Sequence, residues 1–231
     1  MTINWFGQSC FRIEVPIRSV RIEDPRTTGS IGTKVVSILI DRFSEERTGL
    51  KPPKIKDDIV LVTHEHLDHN NIEGITPEAF LINTPGEYEK KGVAIRGISS
   101  YHDKTEGKER GLNTIYVIKA EEMTICHLGD LGQEKLNEKQ VEEIGDIDIL
   151  FIPVGGTYTI NYKEAIGVIG QIEPKVIIPM HYKVAGHLST VLEGPEKFVK
   201  ELGLTPEKVD KYKISKKLLP LEEMKLIMFE L

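Results

Sequence analysis

Residues 63–71 constrain the fold of this 231-residue chain more than any other stretch. Three histidines and the carboxylate of Asp68 fall within residues 64–69, directly after the apolar run 59–62. Because His64 and His66 are two positions apart, both side chains leave the same face of an extended chain. Asp68 and His69 come where the chain must turn, so they can point back at a neighbouring position. The pattern predicts two adjacent metal ions held by nitrogen and oxygen ligands, without sulfur.

A polar turn whose histidines are merely solvated is the alternative interpretation of this stretch. Without metal, however, so dense a cluster would crowd several imidazoles into one place, where each disfavours the charge of the others. The metal site is therefore the favoured interpretation.

Length and composition predict one domain over residues 1–231 and exclude several classes of partner. The hydrophobic content of 39% and the charged content of 29% are ordinary for a globular protein. A net charge of −6 argues against a general affinity for nucleic acid or anionic membranes, although it leaves a local basic pocket open.

The cysteines and the first residues predict where the protein works. Cys10 and Cys126 lie far apart in no metal-like spacing, so they form either a disulfide or, as we expect, two buried thiols in a reducing compartment. Residues 1–5 do not resemble a signal peptide, and no apolar run approaches the length of a membrane span. We therefore expect a cytoplasmic protein without a membrane partner.

Apolar strands interleaved with helical patterns predict an α/β fold. Helices are predicted at 134–144, 163–172 and 195–202, a turn or hairpin at 18–34, and a turn at 84–88. Four apolar runs each end in a residue useful for chemistry, namely Asp41, His64 after Thr63, Asp130 after Gly129, and His181. Strand ends gathered in this way predict a pocket along one edge of a sheet.

Three residues that follow predicted strands add to the motif. Taken alone, His102, Asp130 and His181 would more often be structural, but after the motif they are the ligands that it lacks. In this order, with His-x-His-x-Asp-His at 64–69, the chain resembles the metallo-β-lactamase superfamily. Within it, the segments at 110–114, 127–130 and 179–182 most resemble the compact branch that contains the ascorbate phosphate lactonase and many metal-dependent hydrolases.

The resemblance implies a four-layer αββα sandwich with the metals in a shallow groove at one edge. It further implies one metal held by His64, His66 and His102, a second held by Asp68, His69 and His181, and Asp130 as the bridge between them. No cysteine falls at a ligand position, unlike in the thiolate-using β-lactamases, and His66 stands where flavodiiron proteins carry an acidic ligand.

These ligands predict a hydrolase. Two bound ions lower the pKa of water and polarise the attacked oxygen, so metal-bound hydroxide would cleave a small ester, lactone or phosphodiester. Asp68 and Asp130 would offset the positive charge and orient the nucleophile. Zinc is the expected metal, while manganese and iron also accept these donors.

Other side chains are weaker candidates for the site. Asp41 is a candidate acceptor for the N–H of a ligand histidine, with an exposed carboxylate the equally good alternative. Arg110, Thr157 and His187 are candidate substrate contacts at the groove. His127 is expected to pack or hydrogen-bond behind the site.

Two other functions remain open on the sequence alone. One is a nuclease or phosphodiesterase that acts on nucleic acid, which the acidic net charge disfavours. The other is a non-hydrolytic iron redox protein, or a metal-stabilised binding module. The expected partner is a small-molecule substrate, and the sequence does not indicate an oligomeric state.

Overall fold

A computed structural model describes residues 1–17 and 34–231, in which two β-sheets pack face to face. Within these residues the first sheet has six strands in the spatial order β13-β1-β2-β3-β4-β5. Its strands are β1 (Thr2–Trp5), β2 (Phe11–Ile17), β3 (Lys34–Ile40), β4 (Ile59–Leu61), β5 (Phe80–Ile82) and β13 (Tyr212–Lys213). Strands β3, β4 and β5 run parallel, whereas β1, β2 and β13 pair antiparallel.

The second sheet has eight strands in the order β12-β14-β11-β10-β9-β8-β7-β6. They are β6 (Gly86–Lys90), β7 (Val93–Tyr101), β8 (Leu112–Ala120), β9 (Met123–His127), β10 (Ile149–Pro153), β11 (Val176–Met180), β12 (Pro206–Val209) and β14 (Lys225–Phe229). The strands from β9 to β12 in this order pair parallel, and β6 to β9 pair antiparallel.

The helices cover the outer surfaces, which confirms the predicted α/β class. They are α1 (Glu45–Thr48), α2 (Glu138–Ile144), α3 (Tyr162–Ile172) and α4 (Glu196–Leu202), with a 3₁₀ turn at Lys216–Leu218. The second sheet is covered by α2, α3 and α4, which contact one another in turn. The outer face of the first sheet packs a smaller apolar cluster around Phe43 and Val60, to which irregular chain contributes Ile55 and Ile75.

Two predictions were wrong, one because a local capping signal fixes the helix start and the other because strand pairing overrides a local turn signal. The helix expected at 134–144 begins at Glu138, because Asn137 and Gln140 form a capping box that fixes its first turn. The turn expected at 84–88 is mostly strand β6, which pairs with β7 from Gly86 onward. The turn or hairpin expected at 18–34 lies outside the described residues, except for Lys34 at the start of β3.

The parallel strands bring their carboxyl ends to one edge of the sandwich. Asp41 follows β3, His102 follows β7 and His181 follows β11, while Asp130 comes three residues after β9. Asp41 and His181 adopt left-handed φ angles of 48° and 52°, which turn the chain sharply as each strand ends. Such conformations cost energy in residues other than glycine and cluster at functional sites.

Side chains of both sheets form one continuous core between them. Phe11 of β2 stacks on Phe151 of β10 with ring centroids 4.2 Å apart and nearly parallel planes. Tyr116 of β8 is fully buried, and its hydroxyl donates to the carbonyl of Val62 at 2.9 Å, with a longer contact of 3.2 Å to that of Ile82. This polar link joins the second sheet to the strand end that leads into the histidine motif.

We expect Tyr116→Phe to lower the free energy of unfolding by about 1–3 kcal/mol, because the buried carbonyl of Val62 loses its donor. The measurement is urea denaturation at a fixed zinc concentration, since bound metal also contributes to stability. Tyr162→Phe on α3 is the matched control and should change stability by less than about 0.5 kcal/mol. Equal effects of the two substitutions would contradict this role of the Tyr116 hydroxyl.

Candidate metal centre

The structure gathers the seven predicted ligands at the edge where the strands end. Two groups of ligand atoms, each within 4.8 Å of one another, match the two metal positions that the resemblance implies. They are His64, His66 and His102 for one position, and Asp68, His69 and His181 for the other. A third group, made of His64, His69 and Asp130, lies between them.

The carboxylate of Asp130 lies at the centre of this arrangement and is 2% exposed. Its Oδ2 atom is 3.1 Å from Nε2 of His181, 3.3 Å from Nε2 of His69 and 3.4 Å from Nε2 of His102. Nε2 of His64 is 4.0 Å away. One oxygen therefore faces imidazole nitrogens from both groups, as the bridge between two metals would.

The residues present fit divalent metal ions on two observations. Two ligands of one tetrahedral zinc ion are about 3.3 Å apart when each bond is about 2.0–2.1 Å long, close to the distances around Asp130. Within the described part of the chain, four imidazole nitrogens are buried without a hydrogen-bond partner: Nε2 of His64 and His69, and Nδ1 of His102 and His181. Burying a polar nitrogen without a hydrogen-bond partner costs free energy. A metal bound by Nε2 of His64 and of His69 would remove that cost at these two residues.

Asp41 fixes two of the predicted ligand histidines, one directly and one through Thr63. Its Oδ1 accepts from the backbone N–H of Thr63 at 2.8 Å, and its Oδ2 accepts from the Thr63 hydroxyl at 2.7 Å and from Nδ1 of His69 at 2.9 Å. Since the Thr63 hydroxyl proton goes to Asp41, Nδ1–H of His64 donates to Thr63 Oγ1 at 3.0 Å. Both imidazoles are thereby left with Nε2 free to bind metal, one in each group.

Asn113 positions Asp130, a role that the sequence analysis missed. Its Oδ1 accepts from the backbone N–H of Asp130 at 3.0 Å, while its Nδ2 donates to Ser100 Oγ and to the carbonyl of Leu128. A Cβ on Gly129 would lie 2.3 Å from Asn113 Oδ1, so the turn before Asp130 requires glycine. Asn113 lies in a segment that carries the family resemblance, but nothing in the sequence marks its hydrogen bonds.

Gln8 is a second residue that the sequence analysis missed. Its side chain is nearly fully buried, with Nε2 donating to Asp68 Oδ2 at 2.9 Å and lying 2.8 Å from Nε2 of His181. Nδ1 of His187 accepts from the backbone of Ser189, so Nε2–H of His187 donates to Gln8 Oε1 at 3.1 Å. These contacts join β1–β2, the motif and a distant loop, and no sequence pattern connects positions so far apart.

Burial and charge set the protonation of the cluster. Burial, together with the nearby His69, lowers the pKa of His64 to about 2, and burial likewise lowers that of His102. For His69, burial also acts to lower the pKa, but the carboxylates around it, led by Asp130, raise it well above its usual value. The pKa of Asp130 lies well below its usual value despite burial, because His181 and His69 face it. The neutral imidazoles of His64 and His102 suit a divalent cation, and at His69 a cation would take the place of the proton that the surrounding carboxylates favour.

The predicted substrate contacts fall in different places. A cavity of about 710 Å³ opens over the ligands, and both Arg110 and His187 line it. Thr157 lies outside its lining, and its hydroxyl donates to the carbonyl of Val191 at 2.9 Å. His127 hydrogen-bonds behind the site, where Nε2 donates to the carbonyl of Ser9 and Nδ1 accepts from Gly129.

The cysteines take no part in the metal centre. Cys10 and Cys126 are both free and buried, and burial raises the pKa of each thiol. The ligand groups found in the described residues contain only histidine and aspartate.

The family follows from comparison with known proteins. A family model described as "Beta-lactamase superfamily domain" matches residues 2–181. The chain is 31% identical to a UPF0173 metal-dependent hydrolase of Pyrococcus horikoshii over 82% of this chain and 92% of that protein. The chain belongs to the metallo-β-lactamase superfamily.

Further relatives of the superfamily agree with this assignment and with the fold. A UPF0173 metal-dependent hydrolase of Methanopyrus kandleri is 28% identical over 90% of this chain and 96% of its own. The crystal structure of a proposed Zn-dependent hydrolase of the superfamily from Thermotoga maritima superposes with a TM-score of 0.71 and 33% identity. That match covers 99% of this chain and 98% of the other. The chain is thus a metal-dependent hydrolase with the metallo-β-lactamase fold.

None of the helices formed by residues 1–17 and 34–231 combines the length and the apolar character needed to cross a bilayer.

We expect Asp41→Asn to weaken zinc binding about 10–100-fold. The asparagine offers one acceptor oxygen to three donors, so its NH₂ group must face the N–H of Thr63, the Thr63 hydroxyl or Nδ1–H of His69. Zinc affinity is measured by competition with a chromophoric chelator. Asp210→Asn, at an exposed position away from the cluster, is the matched control. Equal zinc affinities in the two variants would show that Asp41 does not orient a ligand.

Proposed function

We propose that this chain is a dinuclear hydrolase that cleaves a small ester, lactone or phosphodiester. One observation carries the proposal: Oδ2 of Asp130 lies within 3.1–4.0 Å of four histidine Nε2 atoms that come from both groups of ligands. Zinc is the expected metal, because nitrogen and carboxylate donors without sulfur suit it, and manganese and iron fit the same set.

In this proposal, His64, His66 and His102 would hold one ion, Asp68, His69 and His181 would hold the other, and Asp130 would lie between the two groups. When bound, such a pair of divalent ions lowers the pKa of water and polarises the substrate oxygen under attack. The protein's own contribution is to hold this donor set rigid and partly dry at the base of an open cavity.

The carboxylates have distinct roles in the proposal. Asp130 is buried and anchored from Asn113, so it brings fixed negative charge between the two ions. Asp68 is half-buried and lines the cavity, and Gln8 restrains its Oδ2, which leaves the carboxylate at the boundary between ligands and substrate. Asp68 is therefore the group placed to accept a hydrogen bond from the attacking water and to orient it.

The cavity supports a small-molecule substrate. Its volume of about 710 Å³ lies in the range of about 300–1,000 Å³ typical of small-ligand sites. It is lined by three of the proposed histidine ligands, which are His66, His102 and His181. A small ester, lactone or phosphodiester in this cavity would thus lie directly against the proposed ligands.

The proposal is tested by metal content and hydrolysis of protein purified without added metal. We expect about two equivalents of zinc or manganese and turnover of a lactone, 4-nitrophenyl acetate or bis(4-nitrophenyl) phosphate. A chelator should abolish turnover, and the divalent metal should restore it. Asp130→Asn should reduce turnover on the order of a hundredfold or more, because the bridging charge is lost.

Two controls make the result interpretable. Asp210→Asn should retain full turnover, and circular dichroism should show that Asp130→Asn remains folded. Bound iron with oxygen consumption and no hydrolysis would contradict the proposal, as would chelator-treated protein that no divalent metal restores.

A further inference from the structure

We propose that the cavity over the metal centre binds a small organic anion with an apolar body, whose carboxylate or phosphate faces Arg47 and Arg110. The inference rests on the function proposed above, because it names the class of substrate for the same cavity. The residues that carry it line the cavity and do not belong to the predicted metal ligands.

One wall of the cavity is the loop at residues 187–192, whose backbone is held by hydrogen bonds and which carries apolar side chains. The backbone N–H of Leu188 donates to the carbonyl of Thr48 at 2.8 Å, and the Thr157 hydroxyl donates to the carbonyl of Val191 at 2.9 Å. The loop backbone is therefore held on both sides. Its side chains at Leu188 and Val191 nevertheless remain 59% and 48% exposed and line the cavity.

Two further exposed apolar side chains complete this rim. Leu67, within the histidine motif, is 55% exposed, and Tyr158, after β10, is 43% exposed. Both line the same cavity as Leu188 and Val191. Large apolar side chains from three separate segments thus surround one opening, which marks a site for an apolar ligand.

The second feature is a pair of arginines at the same opening. Arg110 ends a loop that the buried Asp103 carboxylate organises by accepting four backbone N–H bonds of 2.8–2.9 Å, one of them from Arg110 itself. Its guanidinium lies 5.8 Å from the ring centroid of Tyr158. The nearest carboxylate among the described residues is that of Glu109, only just within ion-pair distance at 4.0 Å. Arg47 on α1 lines the cavity as well.

Charge at the opening favours an anion. Apart from the predicted metal ligands, one acidic residue lines the cavity in the described part of the chain, Glu65, and its carboxylate accepts a hydrogen bond from Asn70. Two arginines therefore outweigh one carboxylate at this opening, in a chain whose net charge is −6. The planar guanidinium matches carboxylate and phosphate equally well. Together with the apolar rim, this selects an amphipathic anion.

Calorimetric titration of the zinc-loaded protein with four probes tests the inference. The probes are the six-carbon anions hexanoate and hexyl phosphate, together called the hexyl anions, and the controls hexanol and acetate. We expect at least one of the hexyl anions to bind about tenfold or more tightly than acetate, which lacks the apolar body, and than hexanol, which lacks the charge. Comparing hexanoate with hexyl phosphate identifies which acidic group the arginines prefer.

Substitutions assign the two parts of the site. Arg47→Gln and Arg110→Gln should each weaken the affinity for the tighter-binding hexyl anion about fivefold or more. Leu188→Ser should weaken the affinity for both hexyl anions and leave the affinity for acetate unchanged. Arg96→Gln and Leu218→Ser, outside this cavity, are the matched controls and should have no effect. Hexyl anions that bind no more tightly than acetate, or that ignore both arginine substitutions, would overturn the inference.

The binding assay needs no turnover, so the two proposals fail separately. Zinc-loaded protein that selects the hexyl anions but hydrolyses nothing contradicts the proposed hydrolysis alone. An active hydrolase that shows no such selection contradicts the assigned substrate class alone.

Discussion

A single buried carboxylate oxygen, Oδ2 of Asp130, lies among four imidazole nitrogens that three different segments supply. Bringing these groups together in a desolvated place is unfavourable unless a cation compensates the carboxylates and pairs with the buried nitrogens. Much of the surrounding structure serves that requirement. Left-handed backbone at Asp41 and His181 turns the chain after the strands, Asn113 fixes the backbone at Asp130, and Asp41 sets the tautomers of two ligands. The sandwich matters to the chemistry because its parallel strands end at one edge.

The sequence predicted which residues gather at the candidate site better than it predicted the residues that hold them in place. The dense histidine motif and the strand-end residues His102, Asp130 and His181 are conspicuous because each lies beside an apolar run. Asp41 was a candidate for the same reason. Gln8 and Asn113 carry no comparable signal, because their roles arise from hydrogen bonds to partners up to 179 positions away. The start of α2 at Glu138 has a local signal in the sequence, the capping box of Asn137 and Gln140, which the predicted start at residue 134 did not take into account. Strand β6 forms because its residues pair with β7, a tertiary contact that overrides the local turn signal of Pro85-Gly86.

Thr157 contacts the cavity indirectly, through a loop whose backbone it holds. Its predicted role was contact with the substrate, yet its hydroxyl donates to the backbone of the loop that carries Leu188 and Val191. The Gln8–His187 pair ties that loop to Asp68 from the other side. Hydrogen bonds therefore connect the candidate metal centre to the apolar rim, although the residues of the two come from distant parts of the chain. In the proposed function, loop residues of this kind would select the substrate, while residues at the strand ends would hold the metals.

The dinuclear centre is tested most directly by anomalous diffraction from crystals of the zinc-loaded protein, collected on both sides of the zinc absorption edge. We expect two peaks about 3.5–4 Å apart, one among His64, His66 and His102 and the other among Asp68, His69 and His181, with Asp130 in contact with both. A single peak, or peaks elsewhere on the molecule, would contradict the dinuclear centre.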